Sequence, residues 1–99
     1  MKLWIDDIRP APKGYIWCKS VNGSIDVINV CLTDLKVEIE IIDIDHDAGD
    51  YASEGGDYIK LLDWLEEMGF DFPIHIHSMN PVGIANMRRI IQRNGWTEV

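Results

Sequence analysis

Ninety-nine residues, 46% apolar and 26% charged, describe one domain around one core, residues 1–99. A formal charge of −8 argues against binding along an extended nucleic-acid backbone, which needs a cationic surface, and no apolar run approaches the roughly 20 residues of a bilayer span. Cys18 and Cys31 are too few and too far apart for a disulfide framework. They read as small core residues of a reduced protein, so the cytoplasm is the expected location.

The chain opens directly on a strand, Leu3–Asp6, with no leader pattern before it. Arg9–Gly14 holds two prolines and a glycine, which exclude helix and ladder alike. Tyr15–Lys19 reads as a short edge strand. Ser20 then caps a helix whose Ile25, Ile28, Leu32 and Leu35 recur on one face. Val37–Ile44 is rich in β-branched residues and reads as a central strand.

A glycine-bearing loop follows, and Asp57 begins a second helix. Its stripe is Tyr58, Leu61, Leu62, Leu65 and Met68, ended by Gly69. Phe72-Pro73 leads into a strand, Ile74–His77. Asn80-Pro81 starts a third helix through Ile84, Met87 and Ile91, and Asn94-Gly95 ends it. Trp96–Val99 is a tail or a last edge strand. Trp4 and Trp64 are expected in the core.

Strands alternating with helices imply a mostly parallel sheet, whose ligand site lies beyond the carboxyl ends of the strands. Three polar clusters fall at such ends: Asp6-Asp7, Asp45-His46-Asp47 and His77-Ser78. Adjacent carboxylates repel unless protons or a hard cation neutralise them, so a metal-dependent phosphate site is the leading expectation. Mg²⁺ suits an all-oxygen site, with Mn²⁺ as its usual stand-in. Glu38 and Glu40, and His75 and His77, are alternate polar residues in strand segments, and the Ile8–Gly14 connection is too short for a helix. Part of one sheet face should therefore lack a helix, leaving it to solvent, to the tail with Trp96, or to a partner such as a second copy of the chain.

The motifs resemble the receiver superfamily: an acidic pair after the first strand, an Asp after the third, a Ser after the fourth. They resemble more closely the cyclic-phosphate processing receiver-like family. The matching strings are Leu3-Trp4-Ile5-Asp6-Asp7-Ile8-Arg9, Asp45-His46-Asp47-Ala48-Gly49, Gly56-Asp57-Tyr58, His77-Ser78-Met79-Asn80-Pro81-Val82-Gly83 and Asn86-Met87. The resemblance implies a reduced receiver-like (flavodoxin-like) α/β fold in three layers or partly two. It implies about four or five mostly parallel strands and three helices, with the first receiver helix and the last strand–helix unit lost or cut down. A receiver's late-strand lysine has no equivalent, since Lys60 is the only lysine after Lys36.

The residues assign Asp6, Asp7, Asp45 and Asp47 to the metal, with Asp47 as a further ligand or a hydrogen-bond acceptor, and the resemblance implies that Asp47 acts through its backbone carbonyl. Asp45, His46, His77 and Ser78 are the catalytic candidates: a carboxylate to attack or to position water, histidines to protonate a leaving oxygen, a hydroxyl for a phosphate oxygen. Arg9, Ser78, Asn80 and Arg88 are the substrate-binding candidates, and Asn80 is also a helix cap. The expected function is metal-dependent processing of a phosphate ester, such as a cyclic phosphate on a nucleotide or RNA end. The alternatives are a regulatory module that binds Mg²⁺ or is phosphorylated on Asp45, and a non-catalytic interaction domain.

Overall fold

The structure is a computed structural model that describes all 99 residues. Four parallel strands, β1 (Lys2–Ile5), β2 (Tyr15–Cys18), β3 (Ile41–Ile44) and β4 (Ile74–Ile76), form one sheet in the order β2-β1-β3-β4. Three helices, α1 (Val21–Asn29), α2 (Ile59–Met68) and α3 (Pro81–Asn94), complete the fold. The tail forms a single parallel bridge beside β4: Ile74 donates to the Thr97 carbonyl and Val99 to the Ile74 carbonyl. No helix is long and apolar enough to cross a membrane.

Connection order decides which face the helices cover. From β2 the chain passes over β1 to β3 through α1, then on to β4 through α2. Right-handed crossovers running in one direction put their helices on the same side. Only the β1–β2 link runs the other way, and it carries no helix. The reduced receiver-like fold is therefore two-layered. Leu3, Ile5, Ile42, Ile44 and Ile74 point into a 19-residue apolar core with the helices. The opposite face shows Lys2, Trp4, Tyr15, Trp17, Ile41, Asp43 and His75, as the strand alternation and register require.

Several boundaries differ from the sequence reading. Residues 37–40 stay outside the ladder because β1, their neighbour-to-be, begins only at Lys2; Glu40 donates to the Met1 carbonyl and its carboxylate pairs with the chain's amino group at 2.7 Å. Ser20 caps α1 by accepting from Gly23, as expected, but the buried face is Val21, Ser24, Ile28 and Cys31. Beyond Asn29 the helix widens over Val30–Asp34, where Leu35 donates to Val30, and this wider turn swings Leu35 out to 55% exposure. Helix α2 starts at Ile59 because the Asp57 carboxylate is spent on the Ala48 N–H, and Met68 at its end is exposed. Trp96 is buried in the helix-side core, so it does not cover the open face, and Trp4 lies on that open face rather than in the core. Both cysteines are free and buried; burial pushes the Cys18 thiol up to about 11.

Candidate functional site

The strand order reverses between β1 and β3, and a crevice at such a switch point is where parallel α/β sheets bind ligands. Asp6 and Asp7 follow β1 there, and Asp45 follows β3. Their carboxylate oxygens lie within 4.8 Å of one another. Asp6 is 1% exposed and is held from several sides. Its Oδ1 accepts the N–H groups of Ile8 and Arg9, both at 2.9 Å, which folds the chain away from the strand end. Its Oδ2 faces His77 Nε2 at 2.9 Å and Arg9 Nε at 3.5 Å. Burial works to raise the Asp6 pKa, but these hydrogen bonds and Arg9 prevail and hold it below its ordinary value.

Asp7 is the opposite case. Burial, followed by the charges of Asp6 and Asp45, raises its pKa, and no cation of the chain relieves it. Asp45 accepts its neighbour's N–H, from His46, at 2.8 Å and faces Arg9 Nη2 at 3.6 Å. The set fits a hard divalent cation: three carboxylates converge, and one of them, Asp7, is raised by burial and then by its two acidic neighbours.

His77 lies between two carboxylates. Its Nδ1 meets Asp43 Oδ1 at 2.5 Å while Nε2 meets Asp6, and Trp4 stacks on the ring at 3.9 Å with planes 3° apart. Burial favours the neutral ring, yet Asp43 and Asp6 together raise the His77 pKa. With both nitrogens directed at carboxylates, His77 fixes Asp6 rather than offering a free proton to substrate. Arg9 closes the network by donating from Nη1 to the His77 carbonyl, and Trp4 Nε1 donates to the Arg9 carbonyl.

The second wall is the start of α3. Asn80 caps it by accepting from Gly83 at 3.0 Å, and Ser78 Oγ accepts the Asn80 N–H at 3.1 Å, leaving the hydroxyl proton to be donated elsewhere. His46 Nδ1 pairs with Asp47 Oδ1 at 2.7 Å, and its Nε2 has no protein partner. Two glycines make room for these groups. A Cβ on Gly83 would overlap the His46 ring. A Cβ on Gly49 would overlap Asp7 Oδ2, at a φ of +54° that side chains resist. Gly49→Ala is expected to weaken Mn²⁺ binding about tenfold or more by displacing Asp7, as isothermal titration would show. Gly83→Ala should move His46 and leave that affinity within about threefold, since it touches no carboxylate of the cluster.

Besides His77, two residues lie apart from where the sequence reading put them. The Asp47 carboxylate lies outside the acidic cluster, 60% exposed and turned to His46 and Asn80. Arg88 is not at the site: its guanidinium clasps Glu98 at 2.8–3.0 Å, because the tail pairs with β4 beside α3. Asp43, Trp4 and Gly49 were missed as site residues. Asp43 had a signal, a lone charge inside Ile41-Ile42-Asp43-Ile44.

The order of these groups along the chain matches one family. The family model for the cyclic-phosphate processing receiver domain matches residues 1–93, which takes in every strand and every site residue above. The chain belongs to this family. No curated protein and no solved structure matches it. As a cyclic-phosphate processing receiver domain it keeps the acidic cluster of Asp6, Asp7 and Asp45. No lysine forms an ion pair with that cluster, and Lys60, the only lysine after Lys36, lies in α2 against Asp63. The cations nearest the carboxylates are Arg9 and His77.

Proposed function

We propose that this domain opens a cyclic phosphodiester by hydrolysis. The observation that carries the reading is the convergence of Asp6, Asp7 and Asp45 at the strand-order reversal. Asp6, Asp7 and Asp45 hold Mg²⁺ or Mn²⁺, with the Asp47 backbone carbonyl as a further oxygen. When bound, the cation supplies Lewis-acid stabilisation of the phosphoryl charge.

The chain's own residues do the rest. Arg9 and the Ser78 hydroxyl bind phosphoryl oxygens, and the first turn of α3 behind Asn80 turns its positive end toward them. Water attacks phosphorus, losing its proton to Asp45 as the new P–O bond forms. One ester P–O bond breaks, and the departing alkoxide takes a proton from His46 Nε2, whose other nitrogen is fixed by Asp47. His77 keeps Asp6 in place through Asp43.

Incubation of the protein and Mg²⁺ with a nucleoside 2′,3′-cyclic phosphate, followed by ³¹P NMR, tests this. The cyclic resonance should convert to one phosphomonoester, and chelation should stop it. A cyclic resonance that persists at high protein concentration refutes the hydrolysis. A second reading, phosphorylation of Asp45 in a regulatory module, is favoured by the cation Arg9 at 3.6 Å from its carboxylate. Acetyl phosphate followed by intact mass separates the two, since a stable added phosphoryl group supports regulation.

A further inference from the structure

The open sheet face adjoins the acidic site through Trp17, whose Nε1 donates to the Asp6 carbonyl at 2.7 Å. Tyr15 stands two residues back on the same face, roughly 7 Å along the strand. Both are half-buried, with part of each side chain in solvent. A lysine ammonium sits over each ring, Lys19 at 4.4 Å from the Trp17 centroid and Lys2 at 5.7 Å from that of Tyr15. Trp4 meets Tyr15 edge-on at 6.1 Å, while its own face is occupied by His77. Trp4 is therefore a backstop, and Trp17 and Tyr15, each part-exposed under a lysine side chain, are the rings a guest reaches by displacing that lysine.

Charge identifies the guest. The first 19 residues hold four of the nine cationic side chains, Lys2, Arg9, Lys13 and Lys19, against two acidic ones, Asp6 and Asp7. The remaining chain is strongly acidic. An anion with flat π-faces is complementary to this region, whereas a second copy of a chain of charge −8 is not. Two rings and two cations in line, running away from the phosphate site, exceed one nucleotide. A cyclic phosphate closed on vicinal hydroxyls at a strand's end requires a 2′-hydroxyl, hence RNA.

We infer that the helix-free sheet face is a platform for the 3′-terminal two nucleotides of single-stranded RNA, an inference that rests on the cyclic-phosphate reading of the adjoining site. The terminal base stacks on Trp17 and the preceding base on Tyr15. Lys19 and Lys2 leave the rings for the phosphates. Bases stacked on sheet aromatics are a recurrent mode of single-strand recognition and do not need a long basic groove.

The test uses the full chain with Mg²⁺ and three substrates: glycerol 1,2-cyclic phosphate, a nucleoside 2′,3′-cyclic phosphate, and a pentanucleotide ending in a 2′,3′-cyclic phosphate. Dissociation constants come from tryptophan fluorescence and hydrolysis from ³¹P NMR. Affinity should rise about tenfold or more from the base-free substrate to the nucleotide, and again to the pentanucleotide. Trp17→Ala should cost about tenfold or more on both base-bearing substrates, and Trp17→Phe much less, because a phenyl ring stacks but makes no bond to the Asp6 carbonyl. Tyr15→Ala should weaken the pentanucleotide alone. Leu35→Ser, exposed beyond α1, serves as the unaffected control.

Equal loss in Trp17→Ala and Trp17→Phe overturns the platform, since the effect then belongs to the Asp6 contact. So does equal affinity for all three substrates, or a dimer in sedimentation that Tyr15→Ala dissolves. The two readings fail separately: base-dependent binding without hydrolysis keeps the platform and removes the chemistry, and equal hydrolysis of all three does the reverse.

Discussion

Asp45→Asn is expected to lower kcat/KM for a nucleoside 2′,3′-cyclic phosphate by about 100- to 10,000-fold, the range for losing a proton-accepting group at the reacting centre. Asparagine matches aspartate in size, so the 7%-exposed site should keep its packing. The amide still offers an oxygen to the His46 N–H, which Asp45 now satisfies at 2.8 Å. What disappears is one of three negative charges and the acceptor for the water's proton. Arg88→Ala is the matched control. The guanidinium it removes is paired with Glu98, so kcat/KM should stay within about twofold, an exposed pair of this kind contributing little. Steady-state kinetics on the two variants checks both. Full activity in Asp45→Asn would remove Asp45 from the chemistry.

The second large effect belongs to His77. His77→Ala leaves Asp43 and Asp6 facing each other, 8% and 1% exposed, without the group that satisfies both. Removing one partner of a buried charged network costs about 3 kcal/mol or more. In a domain this small that is a fall in Tm of roughly 10–20 °C. Asp43→Asn is gentler on the fold and should weaken Mn²⁺ binding by about tenfold to a hundredfold, since it loosens the histidine that orients Asp6.

The pH dependence has a definite sign. His77 has a raised folded pKa, so its contribution is whole below about pH 6.5 and is lost as pH rises through that raised value. Asp6 has a lowered folded pKa, so its contribution is whole above about pH 4 and is lost as pH falls through that lowered value. On these two groups urea unfolding of metal-free protein should be most resistant between these limits, while Asp7, with its raised folded pKa, costs stability once it ionises and works in the opposite sense. His77→Gln should flatten the alkaline side. An unchanged alkaline slope would mean that the imidazole is not held charged by Asp43 and Asp6.

The strand ends were legible because each carries its acid directly after an apolar run: Leu3-Trp4-Ile5 before Asp6, Ile44 before Asp45. The caps were legible for the same local reason, and Ser20, Asn80, Gly69 and Gly95 all act as read. What sequence could not carry was pairing across the sheet. Asp43 reads as a stray charge in a strand until the register puts it beside Trp4 and His75, beneath the returning His77 ring. His77 had the look of a free acid for the same reason. Arg88 was assigned to substrate because nothing local shows that the tail brings Glu98 to it. The widened turn at Val30–Asp34 broke the helical phase that placed Leu35 inward.

Asp6, Asp7 and Asp45 together are expected to hold a divalent cation beside the start of α3. Titration of the ¹⁵N-labelled protein with Mg²⁺, followed by amide shifts, tests it most directly. Saturable shifts should be confined to residues 6–9, 45–49 and 77–80 and be abolished in Asp7→Asn. Shifts scattered over the acidic surface, or the same saturable shifts in Asp7→Asn, would contradict the account.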